Sequence, residues 1–210
     1  MKKAWSSTDL LATKYDEINW DGEWYDNFDN PEARGVWSVS GRSGNGKTAF
    51  LLQLAKELSK KGRVLYNSLE EGNSKTMQNA WKMHGLADCG RRIQLIKEDI
   101  SELTIRLEKR QSPNIIFIDS FQYTDISFKE FKEFARKKFD HKLFIFNQQM
   151  DGNKIFGKTG DRVNFDADLK IWVEGFKAFS KGRYFGEYWQ EGYVIWDKGA
   201  EKFHGQQKAK

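Results

Sequence analysis

The sequence predicts an α/β fold in which a doubly wound, mostly parallel sheet is extended by antiparallel strands towards the C-terminus. Between residues 35 and 149, short apolar runs alternate with segments of helical spacing, which is typical of parallel strands joined by helices. After Leu169 only strand-like runs follow, and these favour an antiparallel extension of the same sheet. The length of 210 residues suits one domain of this kind and can bury a full core.

Short β-prone runs define the predicted strands of the parallel part. They are Gly35–Ser40, Val64–Leu69, Ile93–Ile96, Ile115–Ile118 and Leu143–Phe146. The run Ile115–Ile118 is continuously apolar, as expected for a central strand that is covered on both faces. The predicted antiparallel strands are Leu169–Glu174, Phe176–Ser180, Tyr184–Tyr188 and Tyr193–Trp196.

Helices are predicted between the parallel strands. The first has apolar residues at helical spacing from Leu51 to Leu58 and ends at Lys60–Gly62, since positive charge followed by glycine is typical of a helix C-terminus. Three further helices are expected. They cover Ser74 to about Leu86, Ser101–Arg110 with Ser101 as the N-cap, and a segment that begins with the capping box of Ser127 and Glu130.

The two ends of the chain differ from the middle. Residues 1–34 are polar and rich in aromatic side chains, without a clear helical or strand period. We interpret them as an arm that packs on the domain or on a neighbouring subunit. Residues 35–204 form the predicted domain, and residues 205–210 are expected to be a disordered tail.

Composition narrows the class of protein. No run of 18 or more apolar residues is present, so no membrane span is predicted, and the N-terminus lacks the pattern of a secretory signal. The single cysteine, Cys89, cannot form an internal disulfide, which fits a reducing cytoplasm. The net charge of +5 permits contact with nucleic acid but does not establish it.

A glycine-rich segment carries the clearest chemical signal. It matches the pattern G-x-x-x-x-G-K-[ST] and lies between a predicted strand and a predicted helix, which is the context that this phosphate-binding loop requires. Its backbone N–H groups are expected to surround phosphate oxygens, while Lys47 reaches the β- and γ-phosphates and the Thr48 hydroxyl binds Mg²⁺. The predicted ATP-binding residues are Gly41, Arg42, Ser43, Gly44, Asn45, Gly46, Lys47 and Thr48.

Acidic residues follow two predicted strands. Asp119 ends the strand Ile115–Ile118, so its carboxylate is expected at the edge of the sheet beside the phosphate loop, where it could hold Mg²⁺. Glu70 and Glu71 end another strand, and either could orient the attacking water. Glu70 is preferred because it lies nearer the strand end. The alternative for the pair is a solvated acidic loop.

From about Val36 to Phe203 the chain resembles the RecA-type ATPases, especially the ATPase core of bacterial-type hexameric replicative helicases and phage single-domain recombination ATPases. The resemblance implies a RecA-like fold, Glu70 as the catalytic glutamate and Gln148 as the γ-phosphate sensor. It also implies that Lys181 and Arg183 enter the active site of the neighbouring subunit. The alternative for that pair is an exposed basic hairpin.

The segment Asp151–Arg162 is glycine-rich and basic. In the resemblance it takes the place of a DNA-binding loop, so its basic residues would contact phosphates and Phe156 would stack on a base. A mobile surface loop is the alternative. The predicted nucleic-acid contacts are Lys154, Phe156, Lys158 and Arg162.

The favoured hypothesis is an ATP-hydrolysing motor, a DNA helicase or translocase, that uses Mg²⁺, depends on single-stranded DNA and assembles as a ring or filament of identical subunits. Its setting would be replication or recombination of a phage or mobile element, in the bacterial or phage-infected host cytoplasm. The chain has neither the N-terminal domain of the replicative helicases nor a zinc-binding cysteine cluster, which puts processive unwinding in doubt. The alternatives are a P-loop small-molecule kinase and a regulatory nucleotide switch that binds a protein partner.

Overall fold

The computed structural model describes residues 4–207, and within them one mixed sheet of nine strands forms the centre of the molecule. Six strands run parallel to one another and are connected by helices, and the remaining three are antiparallel additions. The strands are β1 (Gly35–Gly41), β2 (Val64–Ser68), β3 (Ile93–Ile96), β4 (Ile115–Asp119), β5 (Leu143–Asp151), β6 (Lys154–Ile155), β7 (Leu169–Glu174), β8 (Lys177–Gly182) and β9 (Tyr193–Val194).

The order of the strands across the sheet is β3-β2-β4-β5-β1-β7-β8-β9, and β6 pairs with the end of β5. Strand β1 is parallel to both of its neighbours, with Ser38 opposite Phe146 of β5 and Lys170 of β7. From β7 onwards the pairing is antiparallel. The predicted doubly wound sheet, mostly parallel with an antiparallel C-terminal extension, is therefore confirmed.

Helices cover both faces of the sheet. The helices are α1 (Ser7–Leu11), α2 (Gly22–Phe28), α3 (Lys47–Leu58), α4 (Lys75–Met83), α5 (Ile100–Leu107), α6 (Phe128–Phe131, continued by the π-helical turn Lys132–Lys138), α7 (Lys158–Asp166) and α8 (Asp197–Gln207), with 3₁₀ turns at Leu86–Arg92 and Phe121–Thr124. One apolar layer packs α3 and α4 on the sheet, and the other packs α5, the α6 region and α7.

The caps of two helices test the sequence predictions. Ser127 and Glu130 form the predicted capping box at the start of α6. Helix α5 begins earlier than predicted, because Asp99 and not Ser101 is its N-cap. The Asp99 carboxylate accepts hydrogen bonds from the backbone N–H groups of Ser101 and Glu102, which leaves Ser101 inside the first turn.

Residues 184–188 do not form the predicted strand Tyr184–Tyr188, and the reason lies in their hydrogen bonds. The Ser180 hydroxyl donates to the Tyr184 carbonyl, which bends the chain away from β8. The Tyr188 N–H then donates to the Asp26 carbonyl in α2, 2.8 Å away, and not to a neighbouring strand. This segment therefore contacts the N-terminal arm through its backbone and does not pair with the sheet.

The aromatic arm packs on its own domain. Trp20 and Phe28 are buried, and the ring centroids of Trp20 and Trp37 of β1 lie 5.6 Å apart. Phe28 contacts Phe50 of α3 at 6.0 Å between ring centroids. These contacts place residues 18–28 of the arm in the same apolar layer as α3, whereas α1 has no buried residues. The boundary at residue 34 stays a prediction.

Helix α8 covers residues 205–207 of the predicted disordered tail, and positions 208–210 lie outside the described residues. None of the helices in the described part of the chain is both long enough and apolar enough to cross a bilayer.

Candidate functional site

The phosphate loop connects the end of β1 to the start of α3. Gly44 and Gly46 have φ angles of 77° and 96°, a left-handed backbone that glycine adopts without a steric penalty. Asn45 fixes the loop from the other side, because its Oδ1 accepts a hydrogen bond of 2.8 Å from the Gly175 N–H and its carbonyl accepts one of 3.1 Å from the Phe176 N–H. The β7–β8 turn therefore holds the loop in place.

Lys47 and Thr48 occupy the first turn of α3, where unpaired backbone N–H groups and the helix dipole favour an anion. The Lys47 ammonium donates to the Arg42 carbonyl at 3.0 Å, so the side chain folds back over the loop. Burial lowers the pKa of Lys47, and the negative charges of Asp119 and Glu70 partly oppose that shift. Lys47 and both of these acidic residues line the same cleft.

Asp119 is the last residue of β4 and is buried at the edge of the sheet. Its two oxygens accept hydrogen bonds from the Tyr66 hydroxyl at 2.7 Å and from the Asn147 amide at 2.5 Å. Burial raises the pKa of Asp119, although these two hydrogen bonds oppose the shift by favouring the charged form. A carboxylate held in one orientation beside an anion-binding loop is a suitable partner for a cation.

The donor set fits Mg²⁺ bound together with a nucleotide. Mg²⁺ in nucleotide sites is held by one or two protein oxygens, by phosphate oxygens and by water. Asp119 and Thr48 would supply the protein oxygens, since both line the same cleft. Within residues 4–207, no group of three or more His, Cys, Asp or Glu side chains could hold a metal by itself. The site therefore suits a metal that arrives with its phosphates.

Glu70 and Glu71 follow β2 and differ in their partners. The Glu70 carboxylate accepts a hydrogen bond of 3.2 Å from the Gln149 amide across the cleft. The Glu71 carboxylate accepts one of 2.6 Å from the Thr76 hydroxyl at the start of α4. Glu71 is thus engaged with the helix that follows it, whereas Glu70 is held by a residue of the cleft itself.

These residues surround one open cleft of about 510 Å³. It is lined by Ser43, Gly44, Gly46, Lys47, Thr48, Ala49, Glu70, Glu71, Asp119, Asn147, Gln149 and Met150. Another cavity, of about 370 Å³, opens at the opposite edge of the sheet and includes Arg136, Asp168 and Arg183. The cleft at the phosphate loop is the better candidate site, because it combines a loop for anions with acidic residues for a metal and a water.

Gln149 takes the place in the cleft that the resemblance assigned to Gln148. Successive side chains of a strand point to opposite faces, and Asn147 and Gln149 of β5 both reach the cleft. Gln148 lies on the other face, fully buried, and its Oε1 accepts a hydrogen bond of 3.1 Å from the Gln122 amide. Gln149, and not the predicted Gln148, is therefore the glutamine of β5 whose side chain lines the cleft.

Lys181 and Arg183 lie away from their own cleft. Lys181 is exposed near the end of β8, opposite Lys170 of β7. Arg183 is 79% exposed, and its guanidinium lies 3.9 Å from the Asp168 carboxylate, which also accepts the Val36 N–H at the start of β1. Arg183 is therefore at the opposite edge of the sheet from the phosphate loop, so it cannot serve the cleft of its own chain.

The glycine-rich segment 151–162 is more regular than predicted. Strand β6 turns back on β5 as a short hairpin, and α7 begins at Lys158. Lys154 and Lys158 are exposed, and Phe156 is 56% exposed. The Arg162 guanidinium is also exposed but lies over the ring of Phe128, with 4.1 Å between them. The four predicted contacts thus spread over a hairpin and a helix.

Two residues, Arg42 and Gln122, connect this hairpin to the cleft. Arg42 of the phosphate loop donates to the Gly152 carbonyl at 3.1 Å and also to the Asn153 side chain in the hairpin turn. Gln122 donates to the Phe156 carbonyl at 3.3 Å, and its Oε1 accepts the Gln149 N–H at 3.0 Å. Sequence reasoning missed Gln122 as well as Tyr66 and Asn147, because single polar residues near strand ends carry no motif.

Comparisons with known proteins support the fold. No protein-family model and no curated protein matches the chain. The flagellar accessory protein FlaH from Methanocaldococcus jannaschii is similar in structure, with 13% identity, a TM-score of 0.55 and coverage of 80% of this chain and 88% of FlaH. A second solved structure, an ATPase domain, has 18% identity and a TM-score of 0.48, over 67% of this chain and 69% of that domain. The structural similarity to FlaH shows that the chain shares the fold of that protein.

The two glutamines of β5 should differ in their effect on stability. Gln148→Ala should lower the free energy of unfolding by about 1–2 kcal/mol, because it removes a fully buried side chain and one of the two acceptors of the Gln122 amide. Gln149→Ala should change it by less than about 0.5 kcal/mol, since this side chain borders the open cleft. Urea denaturation of the ligand-free protein measures both values. A larger loss in Gln149→Ala would contradict the assignment of faces.

Proposed function

We propose that this RecA-fold chain binds ATP with Mg²⁺ at the loop Gly41–Thr48 and hydrolyses it. The observation that carries the proposal is the convergence of Lys47, Thr48, Asp119 and Glu70 on one cleft, although they come from three separate parts of the chain. Each has a role in phosphoryl transfer that suits its position. The comparisons support the fold on which this arrangement stands and do not themselves report an activity for the chain.

Each of these residues has its own role in the proposed hydrolysis. Backbone N–H groups of the loop and the Lys47 ammonium would bind the β- and γ-phosphates. Thr48 and Asp119 would hold Mg²⁺, which neutralises charge on the phosphates when it is bound. Glu70 would orient and deprotonate the attacking water, and Gln149, which already contacts Glu70, would contact the γ-phosphate. A carboxylate and an amide side by side at an open cleft favour water as the acceptor.

Three substitutions test the proposed hydrolysis. Lys47→Ala should abolish turnover by removing the cation that binds the phosphates. Glu70→Gln should bind ATP with unchanged affinity while turnover falls by at least about 100-fold, because the carboxylate acts on the water and not on the nucleotide. Glu71→Gln should keep most of its turnover, since Glu71 is bonded to Thr76. Binding is measured by calorimetry and turnover by phosphate release.

Four results would contradict these assignments. Unchanged turnover in Lys47→Ala would remove the phosphate loop from the mechanism. Loss of turnover in Glu71→Gln but not in Glu70→Gln would make Glu71 the base. Transfer of the γ-phosphate to a small molecule would identify a kinase, and tight ATP binding without turnover would identify a nucleotide switch.

We further propose that single-stranded DNA stimulates the hydrolysis, through the hairpin and α7. The supporting observation is the pair of contacts from Arg42 and Gln122, which connect the hairpin to the cleft. Lys154 and Lys158 are exposed cations beside the exposed ring of Phe156, a combination suited to phosphates and stacked bases. A role as a helicase or translocase in replication or recombination of a phage or mobile element, in the cytoplasm, rests on the sequence resemblance.

Removing the cations of the segment should uncouple DNA from turnover. The triple variant Lys154→Ala, Lys158→Ala, Arg162→Ala should keep its basal ATPase rate but lose stimulation by single-stranded DNA, whose affinity for the wild type should fall with salt. A control that loses three exposed lysines elsewhere, Lys82→Ala, Lys109→Ala, Lys202→Ala, should be stimulated normally. ATPase rates with and without DNA measure the effect. Full stimulation of the first variant would place the DNA site elsewhere.

We also propose that subunits assemble as a ring or filament in which Arg183, supported by Lys181, reaches the neighbour's cleft. The supporting observation is that Arg183 is exposed at the edge of the sheet opposite its own phosphate loop. Charge that develops on the transferred phosphate still needs a cation on the open side of the cleft. A neighbouring subunit stacked head to tail could provide this cation.

Mixing two variants tests the contribution between subunits. Arg183→Ala should lower turnover at least about 1,000-fold, as expected for loss of an arginine finger, and Glu70→Gln should also be nearly inactive. Mixed under assembling conditions, the two should regain part of the activity at interfaces that pair an intact Arg183 with an intact Glu70. Lys137→Ala, which removes another exposed cation, should keep its turnover. An assembled mixture that stays inactive would contradict the proposal.

A further inference from the structure

Phe176 and Trp196 form an aromatic corner directly beside the phosphate loop. These two residues have no part in the chemistry described so far. The β7–β8 turn places Gly175 and Phe176 at φ angles of 53° and 60°, a left-handed pair typical of a tight hairpin and costly for phenylalanine. Through this turn Phe176 approaches the loop so closely that a Cβ on Gly46 would lie 3.0 Å from its Cδ1. The loop and the corner therefore share one packed contact.

The segment after β9 completes the corner. The Ile195 N–H donates to the Phe176 carbonyl at 2.9 Å, and the Ile195 carbonyl accepts a hydrogen bond of 3.1 Å from Gln53 of α3. Next in the chain, Trp196 meets Phe176 edge to face, with ring centroids 5.0 Å apart and an interplanar angle of 90°. The backbone of this segment is thus fixed both to the turn and to the helix that starts at Lys47.

Trp196 is held in place yet largely open to solvent. Its Cε3 occupies the space that a Cβ on Gly199 would need, so the indole packs closely on the start of α8. Even so, 53% of the residue is exposed. An indole that is fixed at two contacts and open elsewhere offers a flat apolar surface at little cost in side-chain entropy.

The direction of a bound nucleotide follows from the order of the strands. The groups that suit the γ-phosphate, Glu70, Asp119 and Gln149, follow or belong to β2, β4 and β5, which lie on one side of β1. Strands β7 and β8 lie on the other side of β1. A triphosphate with its γ end among the acidic residues must therefore leave the loop on the side of the β7–β8 turn, where its nucleoside meets the aromatic corner.

We propose that Trp196 is the platform on which the base of the bound nucleoside triphosphate stacks, with Phe176 supporting the indole from the edge. The inference rests on the proposed function, since it assigns the base subsite of the same nucleotide. Stacking recognises a planar ring, and a two-ring purine covers an indole best. The expected ligand is therefore a purine nucleoside triphosphate, of which the phosphate loop binds one end and Trp196 the other.

Binding of ATP and of inorganic triphosphate, each with Mg²⁺, separates the base from the phosphates. By calorimetry, the wild type should bind ATP more tightly than triphosphate. Trp196→Ala should weaken ATP binding about 10-fold, as for loss of one stacked base, and leave the affinity for triphosphate unchanged. Trp196→Phe should recover most of the ATP affinity. Trp5→Ala, which removes a tryptophan that is 67% exposed in the N-terminal arm, serves as the control and should bind both ligands normally.

Each other outcome has a distinct meaning. Equal affinity of the wild type for ATP and triphosphate, or unchanged ATP binding in Trp196→Ala, would overturn the base platform and leave the proposed function standing. Equal loss of both ligands in Trp196→Ala would show that Trp196 supports the loop and not the base, which also overturns the platform. A wild type that binds neither ligand would overturn the proposed function itself, and this inference with it.

Discussion

The constraint on which the site depends is the burial of Asp119 and the partial burial of Lys47, two opposite charges beside the phosphate loop. Burial raises the pKa of Asp119 and lowers the pKa of Lys47, so each charge is costly where it stands. Tyr66 and Asn147 hold the Asp119 carboxylate, and the Arg42 carbonyl holds the Lys47 ammonium. The proposed ligand, a polyanion bound together with a dication, would offer opposite charge to both groups.

The parallel sheet makes that arrangement possible. The carboxyl ends of parallel strands meet at the same edge, so β1, β2, β4 and β5 bring residues from positions 41 to 150 to one cleft. Strand β8 is antiparallel to β7, so its last residues lie at the opposite end of the parallel strands from the cleft. Arg183, which follows β8, is therefore at that opposite end. One chain thus presents a cleft at one edge and an exposed guanidinium at the other, a polarity that suits head-to-tail assembly.

Features that depend on hydrophobic period or on a motif could be predicted from the sequence. A feature that depends on which face of a strand one residue occupies could not. Alternating apolar runs were sufficient for the order and type of the main strands, and the phosphate loop was recognisable as a motif. Gln148 and Gln149 are adjacent residues of the same type, so the sequence alone does not distinguish them. They differ in the direction of their side chains along β5. Tyr184–Tyr188 has the alternation of a strand, but its hydrogen bonds go to α2, a partner that local pattern does not reveal.

The same reasoning explains why the hairpin after β5 was predicted as a loop. Its glycines suggested irregular structure, yet Gly152 lies at the turn, with a φ angle of 58°, and Gly157 precedes α7. What orders the segment is long-range, because Arg42 binds its turn and Gln122 binds its exit. Since Lys47 contacts the Arg42 carbonyl, a phosphate that draws the Lys47 ammonium away would change the hydrogen bonds of the residue that holds the hairpin. The phosphate loop itself therefore contacts the proposed DNA-binding segment directly, in addition to the contact from Gln122.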